Sequence, residues 1–339
     1  MGELTVEPVF VAIDGGGSKT DAYAVAPDGR VLAAAHAGGS SPQIIGLDDA
    51  VAVIDDLIDG LLAQLSLRRA DRVNAYLSGL DLPEEIDAFR RAVSTKRWLP
   101  ARADEFVAEN DTFALLRAGT DERNAVAVVC GTGMNTVGVT ERGDVVRFPA
   151  LGTISGDWGG GWSLGESALW HAVRAADGRG PESTLVESIP AMFGVADLDA
   201  VVRGLHFGSI DPNSLSRLAP AVLAASREGD GIAAGLVDRQ ADEIVSCAVA
   251  ALRRLDLLGV DAPVVLGGGV VASGDARLLD RVQAGLAVRA PRGRMRLVVD
   301  PPVLGALLLT LESAGCDAEA VERVGADFGG RRDAWAAAS

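Results

Sequence analysis

Residues 11–26 read VAIDGGGSKTDAYAVA. An apolar run ends in Asp14, the glycines Gly15, Gly16 and Gly17 and the triplet Ser18-Lys19-Thr20 follow, and a second apolar run begins at once. Two strands joined by a glycine turn make a hairpin whose tip presents backbone N–H groups beside a carboxylate. Without Cβ atoms the chain can approach a phosphate closely and adopt positive φ. The stretch therefore reads as a phosphate site with a place for a metal ion at Asp14.

Working outward, Pro27-Asp28-Gly29 is a turn and Val31 to Ala35 a third strand, which completes an antiparallel meander. A loop, Gly38 to Pro42, leads to a helix with Asp48 as its expected N-cap. Val51, Ile54, Ile58, Leu61 and Leu65 recur at three- and four-residue steps, the stripe of a helix covering a sheet. Val73 to Leu80 is strand-like. Pro83 then opens a helix whose apolar positions are Ile86, Phe89 and Val93. A strand from Glu105 ends in Glu109-Asn110-Asp111, and a helix over Thr112 to Ala118 follows. A meander followed by strand, helix, strand, helix indicates an α/β domain with a mixed sheet, and catalytic groups often sit at the carboxyl ends of such strands.

The pattern then restarts. Ala125 to Cys130 is a strand, Gly131-Thr132-Gly133-Met134-Asn135 a glycine turn, Thr136 to Thr140 a second strand, and Val145 to Phe148 a third. Laying Asp14-Gly15 on Cys130-Gly131 puts Thr20 on Thr136, and Gly29 matches Gly143 with a two-residue shift. One glycine hairpin is a weak signal, whereas two in matching context indicate a duplicated fold whose copies face each other across a cleft. The capping-box spacing of Ser163 and Glu166 predicts a helix from about Leu164 to Ala176. The loop before it carries Asp157, Trp158 and Trp162 and reads as a mobile binding segment. Ile232 to Leu258 reads as one long core helix. A strand ending in Gly267-Gly268-Gly269 would suit the flat face of a base or ribose. Arg296 to Val299 is the last strand, the segment from Pro302 a helix of small residues, and the tail after about Gly329 is expected to be poorly ordered.

Composition bounds the function. The 339 residues suffice for two domains with cores. A formal net charge of −16 argues against nucleic-acid or anionic-membrane partners, which select basic patches. Lysine occurs only at Lys19 and Lys96, which draws attention to the one in the glycine turn. Cys130, Cys247 and Cys316 show no metal-ligand spacing, and no apolar run reaches the roughly 18 residues of a membrane span. A soluble, reduced, cytoplasmic and unprocessed protein is expected.

Taken together, Asp14 to Thr20, Glu109-Asn110-Asp111, Gly131 to Asn135, Gly267 to Gly269 and the closing Pro302-Val303-Leu304-Gly305-Ala306 resemble the BadF/BadG/BcrA/BcrD ATPase family. Within it the chain is most similar to the N-acetylglucosamine and glucosamine kinases of the sugar kinase, Hsp70 and actin superfamily. The resemblance covers about residues 1–315. It implies two ribonuclease-H-like domains with a central cleft, one made of 1–119 with 303–339 and the other of 120–302. It implies ATP and Mg²⁺, an amino sugar as acceptor at its 6-hydroxyl, and a homodimer. Residue by residue it makes Asp14 the carboxylate that holds Mg²⁺ through water and Asp111 the catalytic base. Gly15, Gly16, Gly17, Ser18, Lys19 and Thr20 become the first phosphate loop. Gly131, Thr132 and Gly133 become the second, and Gly267, Gly268 and Gly269 would lie against adenosine. Ser41, Asn110, Asp111, Asn135 and Asp157 fall at sugar-binding positions.

Two departures sit near the presumed sugar pocket. The family's Gly-Asp-Glu-Gly segment is here Gly156-Asp157-Trp158-Gly159, and Ser41 stands where the amino-sugar kinases often carry Asn. Phosphoryl transfer is thus better supported than a particular sugar. Two alternatives remain. One is the family's other arm, ATPase activators of 2-hydroxyacyl-CoA dehydratases, whose dimers hold an iron–sulfur cluster through cysteine pairs. The other is a non-catalytic sugar sensor on the same fold.

Overall fold

The computed structural model describes residues 7–336, and for 329–336 the backbone alone. In chain order its strands are β1 (Phe10–Gly15), β2 (Lys19–Val25), β3 (Val31–Gly38), β4 (Arg72–Leu77), β5 (Phe106–Asn110), β6 (Ala125–Cys130), β7 (Met134–Val139), β8 (Val145–Arg147), β9 (Ala262–Gly267) and β10 (Gly293–Leu297). The helices are α1 (Pro42–Ile45), α2 (Leu47–Gln64), α3 (Pro83–Val93), α4 (Thr112–Gly119), α5 (Gly160–Ala176), α6 (Leu185–Phe193), α7 (Leu198–Phe207), α8 (Ala219–Arg227), α9 (Gly231–Arg254), α10 (Gly269–Ala272), α11 (Ala276–Arg289), α12 (Pro302–Ser313) and α13 (Ala318–Ala336). The chain divides into two compact units, Met1–Asp121 with Val298–Ser339, and Glu122–Leu297.

The first unit is built on a five-stranded sheet of order β3-β2-β1-β4-β5. The meander pairs antiparallel, and β1, β4 and β5 run parallel to one another. Val11, Ala12 and Ile13 are all fully buried, because the sheet is covered on both faces. One face meets Ile54, Ile58 and Leu61 of α2 and Phe89 of α3. The other meets α12, with Val303, Ala306 and Leu307 fully buried against Ala12 and Ala114. At Gly305 a Cβ would lie 1.8 Å from the carbonyl oxygen of Ala114, so α12 and α4 touch backbone to backbone. This is the close packing that the small residues of the Pro302 segment imply.

The second unit repeats the plan with order β10-β9-β6-β7-β8. The β6-β7-β8 meander is antiparallel, and β9 and β10 run parallel to β6. Helix α9 forms its spine, with Val237, Ala241, Ile244 and Ala248 fully buried.

Several expectations shift at element ends. Gly46, at φ 88°, stands at the N-terminus of α2, so Asp48 lies inside the first turn and is not the cap. The last strand is 293–297, earlier than 296–299. Helix α13 continues past Gly329 to Ala336, while 1–6 and 337–339 lie outside the described residues. The echo also needs a correction. Asp14 pairs with Asp21 but Cys130 pairs with Met134, so the second hairpin has a tighter tip and β7 begins before Thr136. Thr20 and Thr136 are therefore not equivalent positions.

Candidate active site

In the first unit Asp14, Tyr76 and Glu109 lie side by side on β1, β4 and β5. Asp111 directly follows the last residue of β5, and its carboxyl is near enough to Asp14 to raise it. It sits at the N-terminal boundary of α4 with φ −62° and ψ −20°. The parallel strands β1 and β5, with β4 between them, thus bring Asp14 and Asp111 to one end of the sheet. Burial, then the charges of Asp111 and Asp21, push the Asp14 carboxyl well above its usual range, and Lys19 opposes them. Burial also pushes Asp111 up to about 7, against the backbone N–H of Thr112 and its own, which favour the carboxylate. Asp14 is thus a poorly solvated carboxyl in the field of Asp111 and Asp21, surroundings that a hard divalent cation would relieve.

The first hairpin closes with Gly16 N donating to Lys19 O at 2.8 Å, and Ser40 N donates to Gly16 O at 3.1 Å. The N–H groups of Gly17 and Ser18 have no protein acceptor among the described residues. Thr20 turns inward: its hydroxyl donates to Gly38 O at 2.7 Å and accepts from the Ser40 hydroxyl at 2.8 Å. That side chain ties the tip to β3 and to the loop after it. Lys19 is mostly exposed, with Nζ 3.2 Å from Asp21. Ser41 is buried at the start of α1, where its carbonyl accepts from Ile44 and Ile45. Asn110 is also buried. Its Oδ1 accepts from Thr112 N at 3.0 Å and Thr112 Oγ1 at 2.6 Å, and its Nδ2 donates to Asp81 Oδ1 at 2.8 Å.

In the second unit the three glycine segments converge. Gly131 N donates to Gly133 O at 2.9 Å across the tip. Gly268, at φ 91°, is so close that a Cβ would lie 2.5 Å from the Cys130 carbonyl. Gly160, at φ 77°, would place one 2.4 Å from the Gly133 carbonyl. Gly267 ends β9 opposite Val129, and Gly269 begins α10. Helix α5 starts at Gly160 and not near Leu164, because its orphan N–H groups find tertiary partners: Gly161 donates to Gly131 O and Trp162 to Thr132 O, both at 2.8 Å, and Gly160 to Gln240 Oε1 at 2.8 Å. Ser163 consequently lies inside the helix and caps nothing. With its carbonyls facing α5, the second tip keeps the N–H groups of Thr132 and Gly133 without a protein acceptor among the described residues.

Asn135 is half-buried on β7, with Oδ1 accepting from Thr136 N at 2.6 Å. Asp157 is half-buried too, and accepts the Ser155 hydroxyl within its own glycine-rich turn. Trp158 lies under the Arg239 guanidinium, 3.9 Å from its ring centroid, and Trp162 falls in the first turn of α5. Asp81 and Gln240 have no counterpart in the sequence reading. A glutamine on the apolar stripe of α9 was the available signal for the second, and it is fully buried. No group of three or more metal-ligating side chains occurs among the described residues, and none of their helices is long and apolar enough to cross a membrane.

Comparison with known proteins agrees with this geometry. The chain is 24% identical over 318 residues to an N-acetyl-D-glucosamine kinase of Dictyostelium discoideum, covering 90% of this chain and 98% of that one. It is 22% identical over 301 residues to an N-acetylmuramic acid/N-acetylglucosamine kinase of Clostridium acetobutylicum, covering 88% and 97%. A solved structure from Chromobacterium violaceum, described as a candidate N-acetylglucosamine kinase, matches with a TM-score of 0.69 at 25% identity over 90% of this chain and 99% of that one. A ROK family glucokinase from Streptomyces griseus, at 16% identity and a TM-score of 0.51 over 89% and 99%, shares the fold, and the architecture is that of the actin-like ATPases. With a family model matching residues 11–326, the chain belongs to the BadF/BadG/BcrA/BcrD ATPase family.

Proposed function

We propose that this protein transfers the γ-phosphoryl group of ATP to the 6-hydroxyl of N-acetylglucosamine or glucosamine. The coarser statement, an ATP-dependent sugar kinase, rests on the family and the named relatives. The observation that carries the residue-level reading is the Asp14–Asp111 pair at the carboxyl ends of the parallel strands β1 and β5.

Phosphoryl transfer asks for positioning, charge neutralisation and a group to take the hydroxyl proton. Asp111 is that group. As the acceptor oxygen bonds to the γ-phosphorus, its proton moves to the Asp111 carboxylate, the bond to the bridging oxygen breaks, and ADP leaves. A carboxyl held near neutrality is a stronger base than an ordinary aspartate. Asp14 would hold Mg²⁺ through water, a role its crowded, poorly solvated carboxyl fits. When bound, the metal neutralises charge on the transferring phosphates. The unpaired N–H groups of Gly17 and Ser18, and of Thr132 and Gly133, would each face phosphate oxygens. Gly267 to Gly269 would lie against adenosine, and Ser41, Asn110, Asn135 and Asp157 would contact sugar.

The dehydratase-activator reading needs thiolates for a cluster. Burial pushes the Cys130 thiol up to about 12 and the Cys247 thiol to about 11, which disfavours that form. The test is ADP release with ATP-Mg²⁺ and a panel of N-acetylglucosamine, glucosamine, N-acetylmannosamine, muramic acid and glucose. Turnover with the two glucosamine compounds is expected. A clear preference for glucose would remove the amino-sugar assignment and leave the kinase, and tight sugar binding without ATP turnover would favour a sensor.

A further inference from the structure

Asp81 lies outside every motif discussed above, yet it joins two of the segments that the proposed function uses. It is buried just after β4. Its Oδ1 accepts from Asn110 Nδ2 and its Oδ2 from Gln43 Nε2, both at 2.8 Å. Gln43 belongs to α1, immediately after Ser41, and Asn110 immediately precedes Asp111. The same Gln43 Nε2 donates to Glu85 Oε1 at 2.9 Å, while Glu85 Oε2 accepts from Asp81 N at 2.8 Å and Leu82 N at 2.9 Å at the start of α3. The turn after β4 presses on the same loop: at Gly79 a Cβ would lie 2.7 Å from Ser41 Oγ and 3.1 Å from Gln43 N.

We propose that Asp81 is a positioning residue that fixes the Ser41–Gln43 loop and the Asn110-Asp111 segment in one register, so that acceptor sugar and base meet in the reactive geometry. A carboxylate only accepts, so it dictates that both carboxamides turn their nitrogens toward it. Asn110 has no alternative, because its oxygen already serves Thr112. An angstrom of drift between a bound sugar and its base costs roughly a hundredfold in rate, which a single shared carboxylate prevents. The inference rests on the amino-sugar kinase reading for its kinetic part only.

Asp81→Asn is nearly isosteric but sets an amide nitrogen against one of the two donors. Expected are a rise in sugar KM and a fall in kcat of about tenfold each, with the KM for ATP within about twofold of wild type. Gln43→Ala, at an exposed position that cannot unfold the core, should move the same two constants by about threefold. Added to Asp81→Asn it should do nothing more, because both remove one link. In a second arm without substrates, hydrogen exchange of the Ile44 to Gly46 amides and of the Leu115 amide should accelerate together in either variant. Unchanged sugar constants in both variants, a parallel rise in the ATP KM, additive double-mutant losses, or acceleration confined to one segment would each overturn the proposal. If the wild-type protein turns over no amino sugar, the functional reading fails, and the exchange arm alone decides whether Asp81 couples the segments.

Discussion

The two hairpins are copies in topology and opposites in chemistry. The first carries Asp14 next to the last residue of β1 and gathers three acidic side chains, Asp14, Asp21 and Asp111, where burial lifts the first and third. The corresponding strand β6 ends in Cys130, a buried thiol, and its tip is surrounded by glycine backbone from β9 and α5. Shape was duplicated and charge was not. Under the proposed function both tips would face phosphate, the first through a cation beside Asp14 and the second through N–H groups alone, where a carboxylate would repel the nucleotide.

The largest effect expected from breaking this asymmetry comes at Asp111. Asp111→Asn should lower kcat by about a thousandfold with the fold intact, read by ADP release and circular dichroism. The same change should stabilise the protein at alkaline pH. The folded-state pKa of Asp111 stands above the unfolded one, so ionising it disfavours folding. That cost is absent below the unfolded pKa of about 4 and is complete once the pH has risen through about 7. Removing it should add about 1–2 kcal/mol above neutrality and nothing in acid, measured by denaturant titration at both pH values.

On the other side the vulnerable atoms are backbone. Gly160→Ala must adopt positive φ and drive a Cβ into the Gly133 carbonyl, and should cost about 3 kcal/mol of unfolding free energy. Gly133→Ala, where a Cβ meets nothing within 4 Å, should cost well under 1 kcal/mol by the same measurement. Equal losses would mean that the second tip is not seated on α5 as described.

A smaller effect separates the two sides by pH. With Asp111 as base, kcat/KM should fall about tenfold per unit as the pH drops below about 7 and level off above it, with the midpoint moving lower as Mg²⁺ is raised because a cation favours ionised carboxyls. In Gly133→Ala the midpoint should stay in place, because the second tip carries no carboxyl and its Cys130 thiol is pushed up to about 12.

How much of this was legible in the sequence follows the same division. The Asp14 hairpin, the Glu109-Asn110-Asp111 strand end and the α3 stripe of Ile86, Phe89 and Val93 are local patterns, and each stands where periodicity and turn chemistry put it. What was missed depends on partners far away in the chain. The start of α5 was misplaced because Ser163 and Glu166 mimic a local cap, whereas the real acceptors are carbonyls of residues 131 and 132 and the amide of Gln240. The Thr20–Thr136 match failed because loop length, not residue type, sets hairpin register. Asp81 was invisible because a carboxylate between Leu80 and Leu82 carries no periodic signal.

Gln240 gives the finest test of how the second tip is held. Its side chain is fully buried, Oε1 accepts the Gly160 N–H, and Nε2 lies 3.6 Å from Met134 Sδ, so one amide bridges α9, the first residue of α5 and the first residue of β7. Gln240→Leu keeps the volume and removes the acceptor, leaving a buried N–H unpaired at the helix start. The expected loss is about 1–2 kcal/mol of stability. If the helix start seats the second tip, the KM for ATP should rise about threefold with sugar KM unchanged, the mirror image of the Asp81→Asn pattern. A variant that lost stability with both KM values unmoved would make Gln240 a structural cap alone. Equal movement of both constants would show that the helix start also governs the sugar contacts proposed for Asn135 and Asp157.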